Sequence, residues 1–148
     1  METLINDKTK AILINNPSNP CGSNFSKEHL IGVVALAKKY NLPIVADEIY
    51  ANVVFEGEFT PIHTVCEDVP ILQVSGLAKQ FVVPGWRVGW LVVYDRSENK
   101  ISSELLLGLK SLSQLIIGAT SIVQACIPTI LTQDIESDTY KSLKMFSD

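Results

Sequence analysis

With 148 residues, a net charge of −4, 47% hydrophobic and only 19% charged residues, the chain has the make-up of one globular domain with a sizeable core. The acidic balance argues against binding nucleic acid, which calls for a clustered basic face. So few charges favour strands buried on both faces, or a surface covered by something outside this chain.

The opening stretch, Met1 to Lys8, has no apolar core and carries an early acid, so it does not read as a signal peptide. Ala11-Ile12-Leu13-Ile14 is a short apolar run rich in β-branched residues and predicts a buried strand. Asn15 to Gly22 follows, where Pro17, Pro20 and Gly22 forbid regular structure. Ser26 is placed to cap a helix over Lys27–Tyr40, whose apolar face is Leu30, Val33, Val34 and Ala37; Asn41 and Pro43 stop it.

Pro43 to Ala46 is a second buried run, ending on Asp47-Glu48-Ile49-Tyr50. Strand, helix and strand in this order predict a βαβ unit with parallel strands. Ala51 to Pro70 is poorly periodic and reads as a loop, with a short helix or a hairpin as the regular alternatives. Ile71-Leu72-Gln73-Val74 is a third strand and Val88 to Val93 a fourth. No helical pattern joins these two, which leaves an antiparallel pairing open.

Between them, Ser75 to Arg87 holds Lys79 and Arg87 on a loop shaped by Gly76, Pro84 and Gly85. A cation pair so placed suits an anion or an electrophile, and equally fits a surface loop with two solvated charges. From about Glu98, a helical seam runs through Ile101, Leu105, Leu109, Leu112, Ile116 and Ala119 until Gly118 breaks it. Thr120 or Ser121 should cap a second helix carrying Val123, Ile127 and Ile130, which Pro128 should kink unless it lies close to the helix start. The segment 134–148 reads as the start of another helix.

Ser111 to Gln133 contains no charge, yet Ser113, Gln114, Thr120, Gln124 and Pro128 interrupt it, so burial within a soluble fold is preferred to a membrane span. Cys21, Cys66 and Cys126 lack metal-type spacing and read as thiols in a reducing compartment, which places the chain in the cytoplasm. No metal site is expected. Asn19 follows the first strand, Asp47 ends the second and Lys79 follows the third. In a parallel sheet all three fall on the carboxyl edge, where open α/β folds bind ligands.

Three motifs stand in order: Asn16-Pro17-Ser18-Asn19-Pro20-Cys21-Gly22, Ala46-Asp47-Glu48-Ile49-Tyr50, and Lys79 followed by Gly85-Trp86-Arg87-Val88-Gly89-Trp90. This pattern resembles the pyridoxal-phosphate-dependent class I aminotransferases of the aspartate-aminotransferase-like fold, most of all their tyrosine-aminotransferase branch. The resemblance implies an α/β fold with a mostly parallel sheet and helices on both faces. It further implies that residues 1–148 are the central part of the large, cofactor-binding domain, without its N-terminal arm and small C-terminal domain.

It assigns roles to five residues. Lys79 would hold the aldehyde of pyridoxal 5'-phosphate as an imine and, once released, move a proton as base and acid. Chemically such an amine must be neutral, which burial or a nearby cation promotes. Asp47 would keep the pyridine nitrogen protonated, Tyr50 and Asn19 would hydrogen-bond the phenolic oxygen, and Arg87 would pair with the phosphate.

Many relatives carry serine or threonine where this chain has Gly76, and Ser75 is a weaker substitute. The implied reaction moves an amino group from an aromatic, tyrosine-like L-amino acid to a 2-oxo acid such as 2-oxoglutarate. The full-length protein would be a homodimer with no membrane or nucleic-acid partner. The rival is a truncated, non-catalytic paralogue that binds the cofactor or serves in assembly. Exposed apolar surface and poor turnover by residues 1–148 alone are expected. A nucleotide-binding α/β domain is a third reading, but no glycine-rich loop opens a helix after a strand.

Overall fold

The apolar runs pair into one four-stranded sheet with strands side by side in sequence order. The computed structural model describes residues 1–54, 57–95, 103–116 and 118–132. Strands β1 (Ile12–Asn15), β2 (Ile44–Asp47) and β3 (Ile71–Gly76) are parallel, and β4 (Gly89–Tyr94) returns antiparallel along β3. The antiparallel option left open by the sequence is therefore the one adopted. The connection from β3 to β4 holds a one-turn helix, Leu77–Gln80, and a 3₁₀ turn, Pro84–Trp86, rather than the long helix with which a parallel crossover is usually made.

Helix α1 (Lys27–Lys39) joins β1 to β2, and Ser26 caps it by accepting from the His29 amide at 3.2 Å. Its buried residues are Leu30, Val33, Val34 and Ala37, as their spacing predicts. They pack on Ile12, Ile14, Ile44, Ala46 and Ile71, which form the core on one face of the sheet. Among the described residues of the long connection from β2 to β3, the regular element is a 3₁₀ turn, Ile62–Thr64, with Ile62 buried in the same core.

Strand alternation sends Leu13, Val45, Leu72 and Val74 to the other face. Leu13 is 70% exposed there, so that face of β1 is open among the described residues. A short helix α2 (Leu77–Gln80) follows β3 directly, before α3 (Ser103–Ser113) and α4 (Ser121–Leu131). Leu106, Leu109 and Ile116 share an apolar groove with Val74, Leu91 and Val93, placing α3 on the side of the sheet away from α1.

The seam expected to run to Ala119 ends earlier. Gln114 and Leu115 donate their amides to Ser111 and Leu112 at 3.2 Å each, tightening the last turn, while the Ser113 hydroxyl donates to the Lys110 carbonyl. Gly118 then turns the chain at φ +114°, and Thr120 stands at the N-cap of α4 without a side-chain capping bond. Pro128 lies inside α4, where it removes one amide donor from the ladder. The expected start of the α3 seam at Ile101 and the expected helix at 134–148 lie outside the described residues. Among the described residues, no helix is long and apolar enough to cross a membrane. Leu107, Leu112, Leu115, Ile116 and Ile122 are all more than 60% exposed, so the expected apolar surface is present on these helices.

Two details of the sheet carry consequences. Gly76 lies opposite Gly89 at the end of the β3–β4 ladder, where a Cβ added at Gly76 would meet the Val88 carbonyl oxygen at 2.6 Å and the Gly89 Cα at 3.0 Å. Both obstacles are backbone, so neither can swing aside. Glu48, just past β2, is 1% exposed. Its Oε1 accepts from the Ile62 amide at 2.9 Å and its Oε2 from the Gln73 carboxamide. Burial pushes the Glu48 carboxyl pKa up, and these two neutral donors offset part of that rise.

Gly76→Ala is expected to lower stability by about 1–3 kcal/mol, the usual cost of overpacking, read from the urea midpoint. The Glu48 carboxyl binds its proton more tightly folded than unfolded. Its contribution is therefore most favourable below the ordinary value near pH 4.5 and is lost as pH rises from there through its raised folded pKa. The slope from this one group is at most about 1.4 kcal/mol per pH unit. Urea unfolding across that range should show the decline, and Glu48→Gln should flatten it.

Candidate functional site

In-register pairing sets Asn15 beside Asp47 and Asp47 beside Val74, so β1 and β2 end level on one edge and β3 runs two residues further, to Gly76. Everything the sequence singles out leaves from that edge. The ladder continues one residue further, with the Asn16 amide donating to the Asp47 carbonyl and the Glu48 amide to the Val74 carbonyl, both at 3.0 Å.

The loop after β1 is tied down from within. Asn16 is 1% exposed and its Oδ1 accepts from the Phe25 amide at 2.8 Å, closing residues 17–24 into a loop. The Gly22 amide donates to the Ser18 carbonyl at 2.8 Å and the Asn15 side chain accepts from the Asn19 amide at 2.6 Å. Asn19 is thus exposed but held by its backbone. It shares a cavity of about 440 Å³ with Pro17, Ser18, Tyr50, Val53 and Val54.

Asp47 ends β2 half-buried, and its Oδ1 accepts from the Ile49 amide at 3.2 Å, an Asx-type turn that starts the bend. The bend is continued by Ala51 and Val53, whose amides donate to the carbonyls of Glu48 and Tyr50 at 3.0 and 2.8 Å. Tyr50 consequently folds back over the edge towards α2. Lys79 in α2 places its Nζ 5.5 Å from the centre of the Tyr50 ring, within cation–π range.

Arg87 follows the 3₁₀ turn Pro84–Trp86 with φ +55° and donates from Nη1 to the Pro84 carbonyl at 3.3 Å. It stands two residues before Gly89, which pairs with Gly76 at the end of β3, so it occupies the same edge. Val82, between the lysine and the arginine, has φ +53°, a conformation costly for a β-branched residue.

The structure therefore brings Lys79 to Tyr50 and Tyr50 to Asn19, while Asp47 and Arg87 lie on the same edge with bonds to their own neighbours. Lys79 is exposed among the described residues, so burial does not enclose its amine here. The sequence alone does not single out Asn16, Gln73 or Glu48 for a role at this edge. Strand parity is the signal that could have found Glu48, since Ala46 faces the core and the residue two places on must face it too.

The family described as "Aminotransferase class I and II" matches residues 1–145. A tyrosine aminotransferase of Dictyostelium discoideum is 49% identical over 88% of this chain and 32% of its own length, and one of Mus musculus is 45% identical over the whole chain and 33% of its own. Among solved structures, an alanine aminotransferase from Pyrococcus furiosus superposes with a TM-score of 0.85 at 28% identity, over 96% of this chain and 35% of that one. A tyrosine aminotransferase from Leishmania infantum gives 0.80 at 38% identity, over 90% and 36%. The chain spans about a third of the length of the curated relatives it matches. With a match running through nearly all of its residues, and a sheet that superposes on solved aminotransferases, the chain belongs to the class I and II aminotransferases.

Proposed function

We propose that this chain is the central part of the large domain of a pyridoxal-phosphate-dependent aminotransferase that takes the amino group of an aromatic L-amino acid and passes it to a 2-oxo acid such as 2-oxoglutarate. The observation that carries the reading is the meeting of a primary amine, Lys79, with the Tyr50 ring at 5.5 Å, on the edge where Asn19 and Asp47 also end. The relatives named tyrosine aminotransferase support the aromatic substrate and favour a working enzyme over a non-catalytic paralogue.

The donor set fits the cofactor. An amine matches its aldehyde, a carboxylate its ring nitrogen, a phenol and a carboxamide its phenolic oxygen, and a guanidinium fork its phosphate. When bound, the cofactor's protonated ring supplies a sink for the electron pair left on the substrate α-carbon. Lys79 would hold the cofactor's aldehyde carbon through Nζ and, once freed by the substrate amine, would take the substrate α-proton as base and give it back as acid. Asp47 keeps the ring nitrogen protonated. The Tyr50 hydroxyl and the Asn19 side chain donate to the phenolic oxygen and hold the ring plane. Arg87 fixes the phosphate end, so the reacting carbon stays within reach of Lys79. A homodimer is the proposed state of the full-length protein.

In the full-length protein, borohydride reduction of the cofactor-loaded form followed by peptide mapping should place the label on Lys79; label on Lys110 overturns the assignment. Lys79→Ala should abolish that label and cut kcat with tyrosine by at least the ~10²–10⁴-fold typical of a lost general acid–base group. Arg87→Gln should weaken cofactor binding by about 1.5–3 kcal/mol, the worth of a charged hydrogen bond, seen in titration of the apoprotein with pyridoxal 5'-phosphate.

A further inference from the structure

Glu48 makes four hydrogen bonds in four directions. Its amide donates to Val74 of β3 and its carbonyl accepts from Ala51 in the bend, both at 3.0 Å. Its carboxylate takes the Ile62 amide from the 3₁₀ turn and the Gln73 carboxamide from β3. It is flanked by Asp47 and lies two residues before Tyr50. A buried carboxylate with only neutral donors is an expensive way to close a loop. A greasy side chain would fill the space but leave the Ile62 amide and Gln73 without these acceptors.

We infer that Glu48 is a positioning residue for the cofactor site, clamping the far side of the β2 bend to β3 and to the Ile62–Thr64 turn so that Asp47 and Tyr50 face the ligand in one fixed orientation. Parity supplies the mechanism. Locking Glu48 onto the Gln73 face of the sheet obliges Asp47, one residue earlier, to the opposite face. Fixing the first residue of the bend at four points fixes the start of the turn that carries Tyr50 towards Lys79. The clamp also ties down the β2–β3 connection: among its described residues the regular element is the 3₁₀ turn Ile62–Thr64, and the Ile62 amide is pinned to Glu48.

Two features explain why an acid suits the place. Both partners present donors, and a carboxylate accepts both without depending on which way an amide is flipped. Glutamine can still replace it. Its oxygen keeps the Ile62 bond, and its nitrogen can donate to Gln73 if that carboxamide turns over. Alanine keeps neither bond. This inference rests on the proposed cofactor site, and its test separates the two.

In the full-length apoprotein, pyridoxal 5'-phosphate affinity is measured by fluorescence quenching, and hydrogen exchange is followed at the Ile62 amide. Glu48→Ala should raise the Kd at least tenfold and speed exchange at Ile62, whereas Glu48→Gln should stay within about threefold of wild type in Kd because it rebuilds both bonds. Gln73→Met, a milder change that removes one bond and keeps the volume, should weaken binding several-fold and covers the case in which Glu48→Ala fails to fold. Val33→Ala, a core truncation on α1, controls for stability loss alone and should leave the Kd unchanged.

Wild-type affinity in either Glu48→Ala or Gln73→Met overturns the inference alone. So does a Val33→Ala protein that loses affinity in proportion to its stability, because the clamp would then be ordinary packing. A wild-type protein that does not bind the cofactor overturns the functional reading and this inference together, while the Ile62 exchange still reports whether the clamp exists.

Discussion

The in-register pairing of three parallel strands is the constraint on which the rest of this molecule depends. Asn15, Asp47 and Val74 are cross-strand neighbours in register, and a slip of one residue would turn Asp47 to the α1 face and Glu48 to the other. The core enforces the register. Ile12, Ile14, Ile44, Ala46 and Ile71 are all under 7% exposed beneath α1, and any slip would trade these for Leu13, Val45 and Leu72 against a helix face shaped for the first set. The hydrophobic effect on one face of the sheet thus decides where the polar groups on its edge emerge.

Much of this is legible in the sequence because it rests on local chemistry with one physical solution. Ala11 to Ile14 and Pro43 to Ala46 have too many apolar, β-branched residues for anything but covered strands. Ser26 precedes a clean 3.6-residue pattern, and the two prolines after Asn15 admit only a loop. The carboxyl-edge grouping of Asn19, Asp47 and Lys79 follows from the βαβ order without any coordinates.

What could not be read there involves partners distant in sequence or features without a period. Residues 51–70 show no repeat in sequence, and their described part is held by scattered contacts: Ile62, Cys66 and Val69 in the core and the Ile62 amide on Glu48. Glu48 itself looks interchangeable with Asp47 until the pairing of Ala46 with Gln73 shows which face it serves. The end of α3 was misplaced because Ile116 and Ala119 continue the apolar spacing while the backbone has already tightened at Gln114. Lys79 sits exposed on a four-residue helix, although the role proposed for it asks for a neutral amine.

The glycine at position 76 joins these points. Against relatives that bear a hydroxyl there, Gly76 looks like a lost phosphate ligand. The coordinates give it a positive reason: the Leu77 amide donates to the Val88 carbonyl at 3.2 Å, and that same carbonyl lies where a Cβ at residue 76 would need to be. The close approach draws the start of α2 against the strand that follows Arg87, which sets the lysine and the arginine on one rim. Ser75 cannot readily replace the missing hydroxyl, since it shares the Gln73 face by alternation while Asp47 is on the other. The crossing leaves no room for a side chain at residue 76 and holds the start of α2 against the strand that follows Arg87. On the proposed reading, the permanently charged guanidinium of Arg87 is then the group of this edge best suited to the phosphate.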